Sequence, residues 1–181
     1  KIQMKFSDFG PQPQTVLQKT VSSKTEAENI LSGWFSKLEG EVIGELMYID
    51  ETTLDYLQLI PSSCGIKIFV TYIEDRDKFI RSGKAEARKR PYLKVDRIYC
   101  LNTSGKELSP MHGRWIAGDN YEINLDVDLK SNALGKKHTI TVTKEPSLSD
   151  RCLKFKDGWE ADLVRLEKIY NKPDIKRETI L

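Results

Sequence analysis

The chain lacks most of what would tie it to redox, metal or nucleotide-hydrolysing chemistry. It holds only three cysteines and two histidines in 181 residues. Cys64, Cys100 and Cys152 are odd in number, widely separated and without ligand spacing. They read as reduced, buried thiols of an intracellular, cytoplasmic protein, and neither a disulfide framework nor a zinc site is expected. No apolar run approaches twenty residues, so the reading expects neither a spanning helix nor a signal-peptide core. Gly-rich dinucleotide fingerprints, P-loops, nucleophile elbows and internal repeats are also missing. The expectation is a protein without metal or cofactor. Beginning at Lys1, the sequence reads as a piece of a longer polypeptide with further domains.

What is present suits one folded domain. Charged residues are 31% and apolar residues 39% of the chain, which is ordinary for a globular protein and argues against general disorder. The net charge is only +2, but its sign is unevenly spread. Between Arg76 and Arg97 stand nine cations and three anions, so the remainder is net acidic. Such a segment is either a footprint for backbone phosphates or a solvated helix and loop. Under the first reading Arg81, Lys84, Arg88, Lys89 and Arg90 are the candidate nucleic-acid contacts.

Periodicity sets the expected elements. Residues 1–24, with Gly10, Pro11 and Pro13, read as a linker or peripheral arm before a domain over 25–181. A capping box at Thr25-Glu26-Ala27-Glu28 predicts a helix whose apolar stripe is Ile30, Leu31, Trp34, Phe35 and Leu38, ended by Gly40. An apolar run over 41–49, a short helix capped by Asp50 and stopped by Pro61, and a strand over 65–72 make a βαβ unit with parallel strands. A charged helix over 74–90 follows, with Phe79, Ile80 and Ala87 inward and Arg81, Lys84 and Arg88 outward. Strands are then expected over 92–101, from Met111 through the following residues, over 121–127 and over 139–143, with a turn at Gly118-Asp119-Asn120. A last helix is predicted from Asp157, with Trp159, Leu163, Leu166 and Tyr170 as its stripe and Pro173 at its end. The fold class is α/β, a mixed, mostly parallel sheet flanked by helices.

The stretch richest in chemistry is His112-Gly113-Arg114-Trp115-Ile116-Ala117-Gly118-Asp119. On an extended strand, positions 112 and 114 point to one face. An imidazole beside a guanidinium suits a phosphate ester: the neutral ring attacks phosphorus or moves a proton, and the fixed cation grips the anionic oxygens. Asp119 could orient an imidazole. The plain alternative is an ordinary structural histidine and arginine on a strand.

The spacing His-x-Arg-x-x-x-x-Asp resembles the phospholipase D superfamily signature, His-x-Lys-x-x-x-x-Asp, with arginine for lysine. The order of elements over about 25–170 is also similar to one half of a phospholipase D-like fold. That resemblance implies catalytic roles for His112, Arg114 and Asp119, with His112 as nucleophile or proton donor and Arg114 on phosphate. It implies further phosphate contacts from Ser131 or Asn132, where the family's Gly-Ser-x-Asn pattern is absent, and Lys136 and Lys137 follow a glycine turn. With one motif per chain, catalysis would need a homodimer bringing two copies of His112 together. Small members reading His-x-Arg resemble non-catalytic binding domains, including the C-terminal membrane-binding domains of MIT-containing proteins; Gly158-Trp159 echoes them.

Three functions follow from these readings. The first is a degenerate module of a larger protein that binds a phosphate-rich partner without catalysis, nucleic acid ahead of an anionic membrane surface. The second is a metal-independent phosphodiesterase or nuclease, active as a homodimer through His112. In the third, the domain serves oligomerisation or assembly, with Trp115 as an interface anchor.

Overall fold

The computed structural model describes residues 14–111, 113–144 and 174–181. In chain order the elements are β1 (Gln14–Val21), α1 (Lys24–Phe35), β2 (Glu41–Ile49), α2 (Glu51–Leu57), β3 (Gly65–Ile73), α3 (Arg76–Lys89), β4 (Leu93–Leu101), β5 (Glu107–Leu108), β6 (Trp115–Ala117), β7 (Tyr121–Leu125), α4 (Ser131–Leu134), β8 (His138–Lys144) and β9 (Asp174–Thr179). The nine described strands form one mixed sheet, ordered β1-β8-β7-β6-β2-β3-β4-β5, with β9 also on β4. Its parallel part is the central trio β2, β3 and β4. The other pairings are antiparallel.

Local chemistry explains the parallel centre. Asp50 ends β2 and caps α2: its carboxylate accepts from the Thr52 amide at 2.9 Å, while Thr53 Oγ1 accepts from the Asp50 amide. The chain therefore leaves the sheet through a helix and returns beside β2 in the same direction. The second crossover, α3, brings Phe79 inward with Gly83 and Glu86. Ile80 and Ala87, expected inward with Phe79, are only half-buried.

One core cluster joins Leu31 and Phe35 of α1, Leu54 and Leu57 of α2 and Phe79 of α3 to Val42, Leu46, Ile68, Val70, Val95, Ile116, Ile123, Ile140 and Val142 of the sheet. A smaller cluster gathers Ile43, Phe69, Ile98, Met111, Trp115 and Ala117. Each such side chain, fully buried, stabilises the fold by about 2 kcal/mol before its ordering cost.

Several boundaries differ from the sequence reading. Gln14–Val21 lies in the stretch read as an arm, yet it is an edge strand paired with β8. α1 is capped by Ser23, whose hydroxyl accepts from the Glu26 amide, and not by Thr25. Gly40 has a left-handed φ of 72° but stands just before β2, several residues past the end of α1. β5, α4 and β9 were not expected. The helix predicted over 157–170, Gly158-Trp159 and Cys152 lie outside the described residues.

Candidate functional site

Strand pairing fixes where the motif lies. β6 runs antiparallel to β2, with Glu45 opposite Trp115 and Ile43 opposite Ala117. Arg114, one residue before β6, therefore lies towards Met47, at the C-terminal ends of the parallel strands. Its Nη2 is 3.7 Å from Met47 Sδ. The expected motif strand is shorter than foreseen, because Gly113 and Arg114 precede it. His112 lies outside the described residues.

The guanidinium of Arg114 is engaged. Its Nε donates to Asp128 Oδ1 at 2.8 Å, with the two side chains 29% and 17% exposed. A hollow at the ends of β2 and β3 is lined by Asp50, Glu51, Thr52, Glu74, Asp75 and Lys78. Four carboxylates against one amine make this hollow repel phosphate. Lys130, which is 2.9 Å from Glu74, also approaches the ring of Tyr48. Tyr48 stacks on Tyr72 at 4.5 Å. The Lys130 ammonium is held above its ordinary pKa, chiefly by its hydrogen bond to Glu74.

Asp119 belongs to another region. Its amide donates to Glu39 O at 2.9 Å. Its carboxylate fills the space beside Gly40, where an added Cβ would lie 1.9 Å from Oδ2. Five residues of extended chain put it about 16 Å from Arg114. The described histidine, His138, starts β8 opposite the end of β7 and so sits at the Arg114 end, away from Asp119. Asp119 therefore lies apart from both the described imidazole and the motif arginine. His138 itself is buried, with Nδ1 on Lys136 O at 2.7 Å.

The other phosphate candidates share the β7–β8 connection, to which Asp128, the partner of Arg114, also belongs. Ser131 opens α4, and its amide donates to Thr52 Oγ1 at 3.1 Å. Asn132, Lys136 and Lys137 are exposed. Among the described residues no cluster of potential metal ligands is found, and no helix is long and apolar enough to cross a membrane.

The structure sorts the nine cations between Arg76 and Arg97 more sharply than the sequence could. Arg76 pairs with Glu178, Lys78 with Glu51, and Lys89 lies 3.7 Å from Glu86. Arg97 meets Glu107 and Glu178 and donates to Thr71 O. Arg90 is a correction to the nucleic-acid set: Nη2 donates to Gln58 O at 3.0 Å and Ile60 O at 2.6 Å, so it closes the end of α2. Arg81, Lys84, Arg88 and Lys94 remain, all exposed and without an ion-pair partner among the described residues. The first three fall three and four residues apart, on one face of α3.

Trp115 is 1% exposed. A ring so enclosed within its own chain is no free anchor for a partner. Gly113, beside it, is required: a Cβ there would come within 2.7 Å of Glu45 Oε1 and of Cδ1 and Nε1 of Trp115. Its amide donates to buried Glu45 at 2.7 Å. Asp128 and Glu45 were not singled out in the sequence. A lone acid inside the apolar run over 41–49 was the available signal for Glu45, whereas nothing in spacing marks Asp128.

Comparison with known proteins supports the fold. No protein-family model matches the sequence, and no curated protein matches it. Among solved structures, the chain is similar to NucT from Helicobacter pylori, with 15% identity, 81% of this chain and 92% of that one covered, and a TM-score of 0.54. It is also similar to Nuc from Salmonella typhimurium, a phospholipase D family member, with 10% identity, 92% and 100% covered, and a TM-score of 0.51. The fold is phospholipase D-like, a mixed α/β sheet flanked by helices.

Proposed function

We propose that this chain is a degenerate phospholipase D-like module that binds nucleic acid through its phosphate backbone and does not catalyse its cleavage. The observation that carries the reading is the stripe of Arg81, Lys84 and Arg88, three exposed cations on one helix face without an ion-pair partner among the described residues. Arg114 supports the non-catalytic part. A motif cation already bound to Asp128 is poorly disposed to receive a phosphodiester.

Binding of this kind releases counterions, so affinity falls with salt at a logarithmic slope of about 0.9 per phosphate neutralised. Fluorescence anisotropy with a labelled duplex across a salt series tests it. The expected result is a slope near 3, reduced by about 2 to 3 in the triple variant Arg81→Ala, Lys84→Ala, Arg88→Ala. Salt-insensitive binding, or none to duplex, single strand and phosphatidylserine vesicles, overturns the proposal. Vesicle binding alone moves it from nucleic acid to membrane.

The second reading, a metal-independent phosphodiesterase or nuclease acting as a homodimer through His112, draws on the position of Arg114 at the ends of the parallel strands. It requires cleavage in EDTA that His112→Ala abolishes. Losing one acid–base group lowers rates by roughly 10²–10⁴.

A further inference from the structure

Tyr92 is 71% exposed, the largest exposure among the big apolar side chains described. Scattered surface aromatics are normal and by themselves mean little. Two features set this one apart. Its backbone is pinned: Pro91 precedes it, its carbonyl accepts from the Ile66 amide at 3.1 Å, and the next amide, that of Leu93, donates to Arg90 O at 3.0 Å. The ring therefore projects from a fixed turn between α3 and β4. The second feature is the charge around it.

Lys94 follows two residues later in β4, and Tyr92 Cβ lies 3.9 Å from where a Cβ on Gly65 would stand, on the sheet face that Lys67 shares two residues along β3. Lys67 is the register partner of Lys94 on the adjacent parallel strand, so the two ammonium stems start about 5 Å apart. Neither ammonium has an ion-pair partner among the described residues. Like charges left adjacent and unneutralised are unfavourable in the free protein, and a polyanion relieves that repulsion. A planar, solvent-facing ring set among them is the combination that holds single strands, where phosphates meet cations and bases lie on aromatic faces. A duplex, with its bases stacked inside, cannot use the ring.

We infer that Tyr92 is a stacking platform for an unpaired nucleobase, with Lys94 and Lys67 holding the flanking phosphates of a single-stranded nucleic acid. The inference rests on the nucleic-acid reading above and narrows it to strands with accessible bases. An exposed ring suits the test, because substitution there leaves the core intact.

Three fluorescein-labelled 20-mers serve as probes: oligo(dT), an abasic strand of the same charge, and a duplex. Stacking by one base is worth about 1–3 kcal/mol, which is roughly 5- to 150-fold in affinity, so Tyr92→Ala weakens oligo(dT) binding by that factor. It leaves the abasic strand and the duplex unchanged. Tyr92→Trp retains affinity, and its emission is quenched by oligo(dT) and not by the abasic strand. Equal affinity of Tyr92→Ala and wild type for oligo(dT) overturns the inference. So does a loss shared equally by all three probes, and either result leaves the polyanion reading standing if the triple α3 variant still weakens every probe. Absence of binding to all three by the wild type removes both.

Discussion

Arg114 donates from Nε to Asp128 Oδ1 at 2.8 Å, joining the residue before β6 to the connection that leaves β7. This contact decides whether the motif cation is free. It is a half-buried, charge-assisted hydrogen bond, so removing the acid costs about 1–2 kcal/mol after allowance for solvent. Asp128→Ala is expected to lower stability by that amount in urea denaturation and to gain a sulfate-specific stabilisation beyond any seen in wild type. Equal responses to sulfate would show that Arg114, even released, does not take an oxyanion.

Glu45 and Gly113 make a second pair with a measurable consequence. Glu45→Ala leaves the Gly113 amide without its acceptor, at a cost of about 1–3 kcal/mol, whereas Glu45→Gln keeps an oxygen in place and costs less. Gly113→Ala forces a methyl against the Glu45 carboxylate and a Trp115 ring that is buried and has no room to retreat. Overpacking of this kind costs about 1–3 kcal/mol. The expected order of urea midpoints is wild type, Glu45→Gln, then the two alanine variants; a Gly113→Ala protein as stable as wild type contradicts the packing described.

Arg88 and Arg90 stand two residues apart and are expected to separate cleanly. Arg90→Ala uncovers the Gln58 and Ile60 carbonyls at the end of α2, lowering stability by about 1–3 kcal/mol. Arg88→Ala acts on nothing in the fold and stays within about 0.5 kcal/mol of wild type, while reducing the salt dependence of nucleic-acid binding. Thermal melts and anisotropy on the two variants give opposite patterns if this division is right.

That division shows where sequence reading stops. The βαβ centre was legible because its signals are local: Asp50 as a cap, Pro61 as a stop, and β-branched runs on either side. β1 and β9 were not, since an edge strand with mostly exposed side chains carries little apolar alternation; the burial of β1 rises only at Val21. Arg88 and Arg90 are chemically identical in a one-dimensional reading, and only the turn after α3 aims the second at backbone carbonyls. Arg114 and Asp119 share a motif in the sequence, but they lie beyond opposite ends of β6. The partner Arg114 does have, Asp128, is delivered by the return of β7, a long-range fact that no fixed spacing encodes.

Tyr56 supplies a prediction in pH. It is buried, and its hydroxyl donates to Glu28 Oε1 at 2.9 Å. Burial first, then the neighbouring carboxylate, push its pKa well above the ordinary 10, because both disfavour a phenolate. In the folded chain the proton is thus held to higher pH than in the unfolded chain. Above pH 10 the unfolded state binds fewer protons than the native state, so stability falls as pH rises. The contribution is fully present below pH 10 and is lost progressively as pH climbs towards the folded value. The buried thiols of Cys64 and Cys100 are shifted upward by burial as well, and their effect, starting at lower pH, is common to wild type and Tyr56→Phe. Comparing the two proteins in urea between pH 8 and pH 11, numbers set by the ordinary thiol and phenol ranges, therefore isolates the hydroxyl. Near pH 8 Tyr56→Phe should be less stable by about 0.5–1.5 kcal/mol for the lost hydrogen bond. Above pH 10 wild type should lose stability faster than the variant and the gap should close; parallel curves would mean that the Tyr56 hydroxyl is not enclosed as described.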